Sequence, residues 1–286
     1  MEIGIAAFCT DQTIGPTRLA QEVESHGFDS LFVTEHTHIP ISRDTSVPYV
    51  YGGGSLQDFY KRTFDPFVAL TAAAISTERI RLGTGICLLA QRDMIITAKE
   101  VATLDHLSNG RFVFGIGFGW IREEAENHGV VFSERQKLVR EKILAMKALW
   151  TEEVASFRGE LIQLEECWMW PKPKQSPYPP IYVGGSGPSA MRHAAEWADV
   201  WFPTPHPDDR TLEKAIPRFR AMVEESGRDP DSVGVAVSSA PDDVGVLDRY
   251  REQGVRAAIL RFGQKPTDEA LRSLDELSES VLEPMR

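Results

Sequence analysis

Residues 179–202 read PPIYVGGSGPSAMRHAAEWADVWF. An apolar strand, Ile181-Tyr182-Val183, runs directly into Gly184-Gly185-Ser186-Gly187-Pro188. A helical pattern follows, with Ala190, Met191, Ala194 and Ala195 apolar, and a second strand runs from Asp199 to Phe202. Three glycines in four residues weaken both elements they join. Two readings account for them. One is a tight turn with Pro188 at the first helical position. The other is an anion cradle, in which bare backbone N–H groups at a helix N-terminus meet a phosphate. The residues of this stretch leave both open.

The same strand-then-helix pattern extends outward along the chain. Strands are expected at Ile3–Phe8, Ser30–Thr34, Ile80–Ile86, Phe112–Gly115, Ile181–Val183, Val200–Phe202, Val233–Val237 and Ala257–Leu260. Each is short and rich in apolar residues, as a strand covered on both faces is. Helix signals lie between them. Asp65-Pro66 reads as an N-cap and first helical residue. Ala98, Val101, Leu104 and Leu107 keep helical spacing until Gly110 stops them. Further helices are expected from Ser133 and from Thr267. Eight strands alternating with helices predict a (β/α)8 TIM barrel over residues 1–286 as one domain, with a doubly wound sheet as the alternative. Two connections exceed a plain turn and are read as insertion loops after strands 2 and 4: Glu35–Phe64 and Thr151–Pro180. Both are expected at the C-terminal mouth of the barrel, with Tyr49, Tyr51, Trp168 and Trp170 as apolar walls of a substrate pocket.

The 286 residues are 42% hydrophobic and 26% charged, with a formal net charge of −11. That charge argues against nucleic acid and against an anionic membrane surface as partners. Cys9, Cys87 and Cys167 lie far apart with no metal spacing, which fits a reducing cytoplasm. The N-terminus lacks the pattern of a signal peptide, and no run approaches the roughly 20 apolar residues of a membrane span.

The chemistry collects at the strand ends. Strand two ends in Glu35, His36 and His38; strand three in Gly83, Gly85 and Ile86; strand four in Gly115, Gly117, Phe118, Gly119 and Trp120; strand eight in Arg261. Glycine at successive strand ends suits a flat ligand lying across the mouth. His36-Thr37-His38 also fits a metal-dependent hydrolase, but the later strand ends offer glycines and Arg261 where further ligands are needed. His38, like His26, His106 and His128, is expected to play no catalytic part. Gly115–Gly119 is G-x-G-x-G, and no helix follows at once, so the dinucleotide fingerprint fails. Lys172, Lys174, Arg192 and Arg261 are the cations available for a charged tail or substrate.

FDSLFVTEHTHIP, RIRLGTGICLLAQRDMIITAKEVATLDHLSNGRFVFGIGFGW and the 179–202 stretch together resemble the bacterial luciferase-like superfamily. The likeness is strongest to its deazaflavin (coenzyme F420)-dependent oxidoreductases and covers Met1 to about Pro203. It implies a flavin or deazaflavin ring in the barrel mouth, backed by a non-prolyl cis peptide that here falls at Gly85–Ile86. It implies that Glu35 and His36 line the ring and carry catalysis. It implies that Gly117, Phe118 and Gly119 touch the ring or its chain, and that Gly184, Gly185, Ser186 and Gly187 hold the cofactor phosphate. Most relatives have Asp where this chain has Glu35. Some place a proton-donating Glu near Trp120, where this chain has Glu123 and Glu124 only further on. The activity so implied is hydride transfer between F420 and a small-molecule substrate. FMN with monooxygenase chemistry is the alternative, ahead of a metal hydrolase or a non-catalytic flavin-binding protein. Dimers are frequent in the family, so a homodimer is expected.

Overall fold

In the computed structural model, which describes residues 1–48, 53–205 and 210–286, all eight expected strands form and close on themselves. In chain order they are β1 (Glu2–Ala7), β2 (Ser30–Val33), β3 (Arg81–Thr84), β4 (Phe112–Ile116), β7 (Ile181–Gly184), β8 (Val200–Phe202), β9 (Gly234–Ala240) and β10 (Ala257–Phe262). The ring runs β1-β10-β9-β8-β7-β4-β3-β2, with every barrel pairing parallel. A closed parallel ring has no edge, so each strand is buried on both faces. β2, β4 and β8 accordingly contain only buried residues.

The helices between the strands form the outer layer. They are α1 (Pro16–Ser25), α2 (Pro66–Ile75), α3 (Met94–Leu107), α4 (Arg122–Asn127), α5 (Arg135–Thr151), α6 (Pro188–Trp197), α7 (Arg210–Glu225), α8 (Val244–Glu252), α9 (Thr267–Leu277) and the terminal turn α10 (Glu283–Met285). Asp65 caps α2 by accepting from the N–H groups of Phe67 and Val68, and Asp93 and Asp243 cap α3 and α8 in the same way. No helix among the described residues is long and apolar enough to cross a membrane.

Two corrections concern the second insertion. It follows α5, not a strand, and runs back along the outside of that helix, where its residues 160–162 bond Lys137 and Glu141. It also holds an antiparallel hairpin, β5 (Ala155–Arg158) and β6 (Gln163–Cys167), outside the barrel. Trp168 and Trp170 are 76% and 62% exposed and line neither cavity described below, so they are not walls of a substrate pocket. Tyr49 and Tyr51 lie outside the described residues.

Inside the barrel, Phe32, Val113, Tyr182, Val200, Phe202, Ala236, Ala257 and Ile259 form a packed plug. Above it, at the C-terminal ends of the strands, lies a cavity of about 430 Å³. Below it, Glu2, Arg79, Arg81, Arg111, Asp199 and Arg256 line a polar cavity of about 620 Å³ at the opposite end.

Candidate active site

The glycines of the upper cavity are first of all a packing solution. The ring of Phe32 passes 2.3 Å from where a Gly83 Cβ would stand. The peptide between Gly85 and Ile86 is cis. The Ile86 side chain then lies 2.5 Å from an added Cβ at Gly117 and 3.0 Å from one at Gly184, distances no real contact tolerates or only barely. Gly83, Gly117 and Gly184 therefore make room for Phe32 and Ile86 within the wall. Gly85, Ile86, Gly117, Phe118 and Gly119 all line the cavity.

Residues after β2 supply the polar group. Thr63 clamps the backbone of His36, accepting from its N–H at 3.2 Å and donating to its carbonyl at 2.7 Å. The imidazole lines the cavity and is buried. Its Nδ1 stands 2.9 Å from the carboxylate of Glu124, which is buried on α4, and the other carboxylate oxygen accepts from the Thr37 N–H. A carboxylate only accepts, so Nδ1 carries the proton and Nε2 is the nitrogen left for chemistry. Around the imidazole stand aromatic rings. Tyr60 and Trp120 meet it edge-on at 5.2 and 6.1 Å, and Phe8 and Phe59 pack on Tyr60.

Glu35 is different. Its carboxylate accepts from the Leu88 N–H at 2.7 Å and from Arg92 Nε at 2.7 Å, and Arg92 also reaches Asp65 and Glu100. Burial opposes the charge of Arg92, but Glu35 and its neighbours hold the guanidinium protonated. Next to this pair, Lys142 donates to the carbonyls of Leu89, Ala90 and Arg92, and burial lowers its amine to about 8. The expectation of a catalytic Glu35 is thus corrected. Its side chain is consumed in anchoring the turn after β3, and the carboxylate that addresses His36 is Glu124.

Across the mouth, β7 stands four strands from β1 in either direction around the ring. There α6 begins, with Gly187 as N-cap and Pro188 as its first residue. The first N–H groups of a helix have no intrahelical partner. Gly184, Gly185, Gly187, Ser189 and Ala190 line the cavity. Gly185 has φ +119, and a Cβ there would come 2.9 Å from the Cβ of Ala190, so this glycine serves the turn. Gly187 has ordinary dihedrals and nothing within 4 Å of an added Cβ. Packing does not require glycine there, and the space a side chain would fill is open cavity at the helix N-terminus. That is the fit an anionic group needs. Ser186 is a further correction: its hydroxyl donates to the Thr204 carbonyl at 2.6 Å and does not line the cavity, whereas Ser189 does.

Of the four expected cations only Arg261 lines the cavity; Arg135, which sequence reasoning passed over, lines it too. Lys172 caps the C-terminus of α5 through the Leu149 and Glu152 carbonyls, and Lys174 pairs with Asn109. His38 is satisfied by Thr37 and Asn127. No group of three or more His, Cys, Asp or Glu is arranged to hold a metal among the described residues.

A parallel barrel with an imidazole on one side of its mouth and an open helix N-terminus on the other belongs to the class of barrel enzymes that bind their ligands at the strand C-termini. The chain belongs to the luciferase-like monooxygenase family, whose profile matches residues 16–278. An uncharacterized protein of Mycobacterium tuberculosis (strain ATCC 25618 / H37Rv) is 38% identical over 281 residues, covering 97% of this chain and 98% of that one. A 5,10-methylenetetrahydromethanopterin reductase of Methanolobus tindarius is 29% identical over 239 residues, 82% of this chain and 64% of the relative. Among solved structures, the coenzyme F420-dependent tetrahydromethanopterin reductase of Methanopyrus kandleri has a similar fold, with TM-score 0.77 at 18% identity, covering 100% of this chain and 99% of that one. The monooxygenase RslO1 of Streptomyces bottropensis gives 0.80 at 20% identity over the whole of both chains. The chain's family is thus described as monooxygenases, one of its sequence relatives is named a reductase, and its fold is shared with both an F420-dependent reductase and a monooxygenase.

Proposed function

We propose that this protein is an oxidoreductase that transfers a hydride between bound coenzyme F420 and a small organic substrate. The observation that carries the reading is the two-sided mouth: an imidazole with one defined free nitrogen faces an open helix N-terminus across the barrel. When bound, the deazaflavin supplies a two-electron hydride carrier. The N–H groups at the start of α6 would hold its phosphate, and the walls at Gly85–Ile86 and Gly117–Gly119 would support its ring. Nε2 of His36 would take or return the proton at the substrate oxygen, and Glu124 keeps that nitrogen in the right tautomer. The aromatic walls exclude water from the reacting atoms. Fold neighbours named for F420 chemistry support the choice of cofactor.

A second reading, an FMN-dependent monooxygenase, draws support from the family's own description and from the monooxygenase RslO1 as a fold neighbour. Titrating cofactor-free protein with F420 and with FMN, followed by cofactor fluorescence, separates the two. Tighter binding of F420 is expected; equal or tighter binding of FMN overturns the deazaflavin reading.

A further inference from the structure

Strand β10 alternates. Ala257 and Ile259 face into the barrel plug, while Ala258 and Leu260 pack outward beneath the helices. The period of two then places Arg261 on the inner face, one rung above Ile259, and it lines the upper cavity. Its neighbour across the β1 pairing is Ala6, which is too small to cover it. On the other side Ser238, two residues beyond the inward Ala236, lines the same corner with Ser239 and Gln264. Arg261 is solvent-exposed, and among the described residues its guanidinium makes no hydrogen bond and no ion pair. The other charges lining this cavity are engaged. Glu35 is held by Arg92, and Arg135 donates to the Gly119 and Phe132 carbonyls and stacks on the Phe132 ring. An exposed guanidinium on the lining of a cavity, without a counter-ion among the described residues, is set up to receive a planar or tetrahedral anion.

We propose that Arg261, with Ser238 and Gln264, forms an anion subsite that takes a carboxylate or phosphoryl group of the substrate. This rests on the proposed function for the rest of the mouth. The place in the ring argues for the substrate over the cofactor. β10 stands three strands from β7, about 14 Å along the sheet at ~4.8 Å per strand, so a phosphate at α6 does not reach it. It stands only two strands, about 10 Å, from β2, which carries His36. Between them lie Ala6 and the rings of Phe8 and Tyr60. The substrate class is therefore an apolar hydroxy or oxo acid, with its reacting oxygen at His36 and its anionic group at Arg261.

The test uses Arg261→Gln and isothermal titration. The probes are 4-phenylbutanoate and its neutral amide, measured on protein with and without F420. The parent is expected to bind the carboxylate at least about 10-fold more tightly than the amide, about 1.4 kcal/mol. Arg261→Gln should remove that preference and leave the affinity for F420 unchanged. Equal binding of acid and amide by the parent overturns the proposal. So does a preference that survives in Arg261→Gln at unchanged melting temperature. If the variant instead loses affinity for F420 but not for its phosphate-free deazaflavin core, Arg261 holds the cofactor tail and the substrate assignment is wrong. Failure of the parent to bind F420 at all counts against the cofactor reading, and the acid–amide comparison on cofactor-free protein still decides the subsite.

Discussion

Among the described residues His36 has one nitrogen engaged and one free, and that asymmetry sets what each substitution should do. His36→Ala should lower turnover about 10²–10⁴-fold, the usual worth of a positioned acid or base, while changing cofactor affinity far less. Glu124→Gln keeps a hydrogen bond to Nδ1 but accepts either tautomer, so turnover should fall with cofactor affinity intact; steady-state kinetics beside a binding titration reads both. Unchanged turnover in either variant would make the pair structural. The two glycines of the β7–α6 turn separate in the same spirit. Gly185→Ala places a side chain at φ +119 against Ala190, and should cost about 1–3 kcal/mol of stability with or without ligand. Gly187→Val meets no protein atom, so the cofactor-free melting temperature should barely move. Binding of the phosphorylated cofactor should nevertheless weaken, and binding of its phosphate-free core should not. The reverse pattern would put the phosphate elsewhere.

At the scale of elements, α1 and α9 are tied by one titrating contact. His26, beyond the end of α1, bonds the Glu22 carbonyl through Nδ1 and Asp275 on α9 through Nε2 at 2.9 Å. Burial opposes its charge, but Asp275 and the Glu22 carbonyl outweigh that and raise its pKa. A raised folded-state value stabilises below the unfolded pKa of about 6.5, and that stabilisation is lost as pH climbs through the folded value. Melting temperature should therefore decline as pH rises above about 6.5 in the parent. His26→Gln should flatten that slope; an identical slope would place the titration elsewhere. The barrel strands were legible in the sequence because each is apolar on both faces. β5 and β6 were not, since Ala155 and Leu164 are their only buried residues and nothing in their pattern separates them from loop. The glycine clusters were visible, but their cause was not. The atoms that need the space belong to Phe32 and Ile86, and the latter stands 31 residues from Gly117 and 98 from Gly184. Glu124 lies 88 residues from the imidazole it orients, so only folding shows the pair. The same distance effect misassigned Glu35, whose partner Arg92 sits in the following βα unit.

For the molecule as a whole, the net charge of −11 works against an anionic ligand until it reaches the mouth. Raising ionic strength from about 20 to about 200 mM shortens the Debye length from roughly 20 Å to below 10 Å. Association of F420 by stopped flow should then accelerate a few-fold, and a rate that falls with salt would mean that local cations dominate the approach. Beneath the mouth, the plug of Phe32, Tyr182 and Phe202 closes the barrel between its two cavities. A cavity closed at its floor by such a plug is entered from above, and that imposes a queue. Whatever lies deepest enters first and leaves last, so a ring seated on Ile86, as proposed above, would stay while smaller molecules come and go above it. Traffic through the mouth is then ordered by depth alone, before any difference in affinity is considered.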